Sequence, residues 1–464
     1  MWTLFIAIFS TLVSANAYKI LFFAPSLGKS HLIFQSRIAD AIAKAGHEVV
    51  MFEPEYHYDP EALPGAKFAE RYILRGLREK VNISDDYGEI LTDAFADMTM
   101  LQNFQVTRGF QRRLVPTCEE IIKRTDVIED LRKRKFDAYI SEPFGCDNGF
   151  AHLIGISTYI MLTSPTFPST QSLFRNASLI FVNTDEFVDF PRPTQDNVVN
   201  IGGIGLDQKN DTLEEPFKSQ AKLGKLGSVV ITFGTHIPTE TLPIPFKRNL
   251  VTALVSLPNY HFIVRVDKGD LATMKSWLGV AKNVYFTDWT PQAALLHDTN
   301  VVAFVSHMGA NSLMEAAYNG KAVLCMPFAF DQNRNCRLAV RNGWAKYFSR
   351  TELLDGPDTF KAAIIDLLEG ESGAGYRANA ARVKQLIKNK PLSSEERLRK
   401  YIHLLEVGGG RLPELQHYSR NMSLWAFYSL DIWIPLIIGM MTFIYGFTKF
   451  LMWLYGKMLL VKRM

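Results

Sequence analysis

The stretch "WTPQAALLHDTNVVAFVSHMGANSLMEAAYNGKAVLCMPFAFDQNRN", residues 289 to 335, decides how the rest of the chain is read. It holds two apolar runs, "VVAFVSH" and "KAVLCMPF", each followed by a helical pattern. Strands that alternate with helices build a parallel sheet, and such sheets bind ligands at the carboxyl ends of their strands. The polar residues of the stretch gather at those ends. Trp289 and Gln292 follow one strand, His307 ends the next, and Asp331 and Gln332 follow the third. Asn311 and Glu315 are four apart on one helix and so share a face. The start of that helix, with its backbone amides from Gly309 to Ser312, suits an anion. A planar base, two phosphates and a polyhydroxy sugar could be held by this set. Singly, each residue has a plainer role: Trp289 in a core, Glu315 as a helix-surface charge, Asp331 as a cap for the helix after it. Their convergence at successive strand ends argues against the plainer roles.

Outward from this stretch the same alternation continues. From about Gly227 the order is strand "SVVITFG", helix "PFKRNLVTALVSL", strands "HFIVRV" and "NVYFTDW", helix "PQAALLHD", then the elements above. Between Tyr18 and Lys218 it is strand "YKILFFA", helix, strand "HEVVMF", several helical stretches, strand "FDAYISE" and helix "CDNGFAHLIG". The fold class is therefore α/β, with two Rossmann-like domains, 18–218 and 219–410, facing a cleft. The polar, glycine-dotted segment 207 to 227 reads as their linker.

In the first domain, "APSLGKSH" (24 to 31) resembles the end of a phosphate loop. That loop needs a glycine five places before Gly28, so that backbone amides can wrap the phosphates, and the place is taken by Phe23 inside a buried strand. The phosphate-loop reading fails, and Lys29 reads as a solvated loop residue. His31 instead stands where strand passes to helix, at the edge of the sheet where ligands bind.

Composition sets the address. The chain has 464 residues and a formal net charge of +4, too small and too dispersed for nucleic-acid binding; the runs "RGFQRR" (108 to 113) and "LRKRK" (131 to 135) read as solvated surface. Residues 1–17, "MWTLFIAIFSTLVSANA", have the apolar core and small-residue cleavage pattern of a signal peptide. Residues 411–431 form a juxtamembrane segment and 432–455 an apolar span whose length suits about 20 residues of bilayer crossing. The tail 456–464 carries Lys457, Lys462 and Arg463 without an acid, which places it in the cytosol and the body in the lumen. The sequons at Asn82, Asn176, Asn210 and Asn421 would face the lumen. Cys118, Cys146, Cys325 and Cys336 are too few for a disulfide scaffold, Cys325 reads as core, and no pair has metal-ligand spacing.

The pattern Trp289-x-Pro-Gln292, Leu295-Leu296, His307, Asn311-Ser312, Glu315-Ala316, Asp331-Gln332 and Asn335 resembles the signature of the UDP-glycosyltransferases, in particular the membrane-bound animal UDP-glucuronosyltransferases. The likeness covers nearly the whole chain, including "FYSLD" (427 to 431) before the span. It implies the GT-B architecture and an enzyme that moves glucuronic acid from UDP-glucuronic acid, or glucose from UDP-glucose, to a small lipophilic acceptor with inversion. It implies that Trp289 stacks on uracil with Gln292 beside it, and that Glu315 holds the ribose. His307, Gly309, Asn311, Ser312 and Thr235 would meet the diphosphate, and Asp331 and Gln332 the sugar. His31 matches the family's base, kept neutral by its place at a helix start. Glu142 stands at the family's aspartate position as its partner, with Asp137 as a weaker candidate. No Asp-x-Asp motif occurs, so neither a metal nor a cofactor is expected; the UDP-sugar is a co-substrate. The resemblance also suggests the endoplasmic reticulum and leaves homo- or hetero-oligomers open.

The chain departs from the family in two places. Met308 replaces a glycine of His-Gly-Gly, at a cost on the order of 1–2 kcal/mol if that site needs positive φ. Almost nothing stands between Pro165 and Gln171, where the family carries a helical block of the acceptor pocket. These departures support an alternative, a catalytically weak UDP-sugar-binding relative or partner subunit. A soluble-type epimerase or hydrolase on the same architecture is disfavoured by the signal peptide and span.

Overall fold

The computed structural model describes residues 17–56, 58–77, 116–143, 147–163, 177–206, 213–235, 237–416 and 418–461. The signal peptide up to residue 16, the sequons at Asn82, Asn176 and Asn210, the run 108–113, the short stretch after Pro165 and the last three residues of the tail lie outside them.

The first domain is a seven-stranded parallel sheet in the order β3-β2-β1-β4-β5-β6-β7. Its strands are β1 (Lys19–Phe23), β2 (Glu48–Pro54), β3 (Glu70–Leu74), β4 (Ala138–Ser141), β5 (Tyr159–Thr163), β6 (Leu179–Val182) and β7 (Val198–Asn200). The second is a six-stranded parallel sheet, β10-β9-β8-β11-β12-β13. Here β8 is Ser228–Thr232, β9 His261–Arg265, β10 Val284–Thr287, β11 Val301–Ser306, β12 Ala322–Cys325 and β13 Ala345–Tyr347. Continuous apolar runs suit these strands because both faces are covered. Val229 and Ile231 enter one core cluster and Val230 the cluster on the opposite face. In each sheet the order reverses once, between β1 and β4 and between β8 and β11. Those two switch points are where ligand crevices open in such sheets.

Helix α1 (Lys29–Lys44) follows β1 and buries Leu32, Phe34, Ile38, Ala39 and Ile42 on the sheet. In the second domain, α2 (Gln292–His297), α3 (Ala310–Asn319) and α4 (Gln332–Arg341) follow β10, β11 and β12. Gly320 ends α3 in the left-handed conformation, φ 63°, the usual glycine stop of a helix.

Three expectations are corrected. The segment read as a linker is not a free spacer from Leu213 onward. Leu213 and Phe217 pack on the second domain's core, Ala221 is buried in it, and Ser228 donates to the Ala221 carbonyl at 2.7 Å. At the other end, α5 (Ser394–Val407) leaves the second domain and returns to the first: Ser394 Oγ donates to the Gly202 carbonyl at 2.7 Å, and Tyr18 donates to the Leu405 carbonyl at 3.4 Å. Cys325 is core, as read, but is also disulfide-bonded to Cys336 on α4, and Cys118 is disulfide-bonded too. The Cys325–Cys336 bond closes the loop that carries Asp331 and Gln332.

Residues up to Leu412 form one compact unit and those from Pro413 a second. The second unit holds α6 (Leu430–Val461), of which Leu430–Met458 is long and apolar enough to cross a bilayer, with mean hydropathy 1.7. It contains the expected span 432–455.

The two domains are tied by buried charge. Lys390 Nζ donates to Asp185 Oδ2 at 2.7 Å, and Asp185 is fully buried. Lys390→Met is expected to strand that carboxylate and to cost about 3–5 kcal/mol in chemical or thermal unfolding.

Candidate active site

His31 lies in the first turn of α1, and Glu142 follows β4, the strand paired with β1 through Phe23 and Ser141. The first switch point therefore brings them together. His31 Nδ1 is 2.9 Å from Glu142 Oε2, and the same oxygen accepts from Gln35 Nε2 at 2.7 Å. Gln35 was not singled out in the sequence, although its spacing of four from His31 puts both on one face. The weaker candidate Asp137 is excluded by position. It stands at the amino end of β4, where its carboxylate accepts from the Lys19 amide at 2.8 Å. Lys29 is not a free loop residue but the first residue of α1, its ammonium 5.0 Å from the centre of the Tyr58 ring.

The electrostatic expectation for His31 is reversed. Burial pushes its pKa down, but the charge and hydrogen bond of Glu142, with Asp331 adding, outweigh it, and the pKa lies above its ordinary value. A helix-terminus dipole is worth about 0.3–1 kcal/mol, less than an adjacent buried carboxylate can supply. With Nδ1–H given to Glu142, Nε2 is the basic nitrogen of the ring.

At the second switch point, His307 follows β11 and Thr235 lies beyond β8. Burial drives the His307 pKa down to about 4, so its ring is neutral at physiological pH. Gly234 and Gly309 flank this ring: a Cβ on either would come within 2.5 or 2.7 Å of its nitrogen. The Thr235 hydroxyl is shut from solvent without a partner among the described residues, and the His307 ring also interacts with the Thr232 backbone.

Around α3 the residues form one network. Gln292 Nε2 donates to Ser312 Oγ at 3.0 Å and to Glu315 Oε2 at 2.7 Å. Trp289 is half exposed on the loop before α2. Asp331 does not cap its own helix; its Oδ2 accepts from the Ala310 amide at 3.1 Å and from Asn335 Nδ2 at 2.7 Å. The helix start expected to hold an anion is thus already partly occupied by Asp331. Burial raises the Asp331 pKa. Gln332 spends its carbonyl on the Phe328 and Ala329 amides, at 2.8 and 3.1 Å.

Asn311 joins the halves. Its Nδ2 donates to the Ser30 carbonyl at 3.0 Å, beside His31, and its Oδ1 accepts from Asn183 at 3.1 Å. Asn183, in the loop after β6, carried no signal in the sequence because its relation to the site is made only by folding.

Met308 does adopt positive φ, 64°. Its side chain is fully buried in the second domain's core, and its amide and carbonyl are held by Ser306 and Asn335 at 3.0 Å each. Strain on the order of 1–2 kcal/mol is offset by burying a methionine, worth about 1.5–3 kcal/mol.

Two parallel α/β domains with facing switch points define a GT-B glycosyltransferase fold. Solved structures agree: Phytolacca americana UGT2 complexed with UDP-2fluoro-glucose and pterostilbene aligns over 84% of this chain and 99% of its own, with TM-score 0.60 and 14% identity. TcCGT1 in complex with UDP aligns over 85% and 100%, also at TM-score 0.60 and 14% identity. Residues 162–464 match the family model described as "UDP-glucoronosyl and UDP-glucosyl transferase". Among relatives named as UDP-glucuronosyltransferases, ugt-47 of Caenorhabditis briggsae is 30% identical over 91% of this chain and 90% of its own. For ugt-48 of Caenorhabditis elegans the identity is 32%, over 90% and 91%. The chain belongs to the UDP-glucuronosyl and UDP-glucosyl transferase family: it is a glycosyltransferase that draws its sugar from a UDP-sugar.

Because the Met308 side chain fills core space, Met308→Gly should destabilise the fold by about 2 kcal/mol despite relieving the backbone. Denaturant unfolding of the two proteins measures the difference.

Proposed function

We propose that this chain transfers a glucuronosyl or glucosyl group to a hydroxyl of a small lipophilic acceptor with inversion at the anomeric carbon. The observation that carries the reading is the His31–Glu142 pair at 2.9 Å, on a helix start bonded directly to the donor domain through Asn311. As the acceptor oxygen bonds to the anomeric carbon, its proton passes to His31 Nε2, and UDP leaves with the electrons of the broken carbon–oxygen bond. Glu142 orients the ring and stabilises the imidazolium formed. Trp289, Gln292 and Glu315 hold the nucleoside, while His307, Thr235, Asn311, Ser312 and the Gly309 turn take the diphosphate. Asp331 and the Gln332 amide take the sugar hydroxyls. The leaving charge is assigned to these protein groups, without a metal or cofactor. The apolar helix anchors the chain with its domains in the lumen of the endoplasmic reticulum, the address inferred from the signal-like N-terminus and the basic tail.

The binding-only alternative rests on Met308 and the short stretch after Pro165. The first is absorbed by the core, and the second lies outside the described residues. Membranes carrying the chain, given UDP-glucuronic acid or UDP-glucose and a panel of phenols, separate the readings. Conjugate is expected with one donor; none with either, while UDP still binds, selects the alternative.

His31→Ala should lower kcat/KM by roughly 10²–10⁴ and leave UDP binding intact. The pH profile has a defined sign. Activity in the wild type rises as pH passes the raised His31 pKa, above 6.5. Glu142→Gln removes the main raising influence, leaves burial and the weaker influence of Asp331, and should move that limb to lower pH. The same pair contributes folding stability below the unfolded histidine pKa and loses it as pH rises through the folded one.

A further inference from the structure

Arg37 lies six residues beyond His31 on α1 and belongs to none of the motifs above. Its Nη1 stands 3.7 Å from Glu315 Oε1, while Gln292 Nε2 holds the other carboxylate oxygen at 2.7 Å. The path between the domains is shaped for it. Gly205, after β7, has φ +74°, and a Cβ there would lie 3.0 Å from Arg37 Cδ and 3.1 Å from Cγ. The bare backbone of Gly205 gives the arginine stem its passage. Glu315 is buried, so its protein partners set where its oxygens point.

We propose that Arg37 is a positioning residue of the donor site, supplied by the opposite domain. It draws Glu315 Oε1 by charge across 3.7 Å while a hydrogen bond from Gln292 holds Oε2, so that the carboxylate meets the two ribose hydroxyls of the UDP-sugar in one orientation. The final torsion of a glutamate is broad, so a cation beside one oxygen narrows it further. A carboxylate offers about four lone-pair directions, so the guanidinium and the ribose can share it. Arg37 and His31 ride on the same helix, and the ion pair therefore makes the donor's ribose contact depend on the element that carries the base.

The inference rests on the reading that Glu315 takes the ribose, and the test separates the two. Full-length protein in detergent is titrated calorimetrically with UDP and with 2′-deoxy-UDP. Wild type should favour UDP by roughly tenfold or more, the worth of a hydrogen bond to a charged acceptor. Arg37→Met should bring that ratio several-fold toward unity and raise KM for the UDP-sugar with kcat changed by less than about threefold. Arg37→Lys should restore most of both, and thermal unfolding identifies any variant that fails to fold. A wild-type ratio in folded Arg37→Met, with the ratio lost in Glu315→Gln, overturns the role of Arg37 and leaves the ribose reading standing. A wild-type ratio in Glu315→Gln overturns both.

Discussion

The hydrogen bond from Asn311 Nδ2 to the Ser30 carbonyl, 3.0 Å long across 281 residues of sequence, is the contact on which the site depends. One end lies in the first turn of α3, the other one residue from His31. Without it each domain is an ordinary parallel sheet with a switch-point crevice. With it the His31 edge of the first sheet lies against the start of α3 in the second domain. Lys390 with Asp185, Arg397 with Glu186 and Ser394 with Gly202 reinforce the approach away from the site. They show what the return of α5 to the first sheet does: its side chains help to hold the orientation of the domains.

Within that frame two histidines are set in opposite ways. His307 is buried with little to stabilise a charge and is held neutral, suited to donate a hydrogen bond without competing for protons. His31 is given a carboxylate and is the stronger base. Environment thus separates two groups of one chemical type, which the proposed mechanism uses for binding and for proton transfer.

Much of this was legible in the sequence. The apolar strand runs, the helix after "APSLGKSH" and the polar residues at strand ends marked the carboxyl edges of both sheets, because periodicity and strand-end position are local properties. The strand Glu70–Leu74, "ERYIL", was missed, since a short edge strand with two charges carries little apolar signal. The return of α5 to the first domain and the bonds of Asn183 and Arg37 were not legible, because they join residues far apart in the chain. The direction of the His31 pKa shift was misjudged because helix position is visible in sequence, whereas the distance to Glu142 is not. The Cys325–Cys336 bond was passed over because four cysteines in a long chain give no count-based signal.

The central claim is that the donor site and the base share one crevice through Asn311. Hydrogen–deuterium exchange of the full-length protein with and without UDP tests it at the segment Lys29–Ser36. The account predicts that UDP slows exchange there as well as around His307–Ser312. Slowing confined to the second domain, with the helix of His31 unchanged, would contradict it.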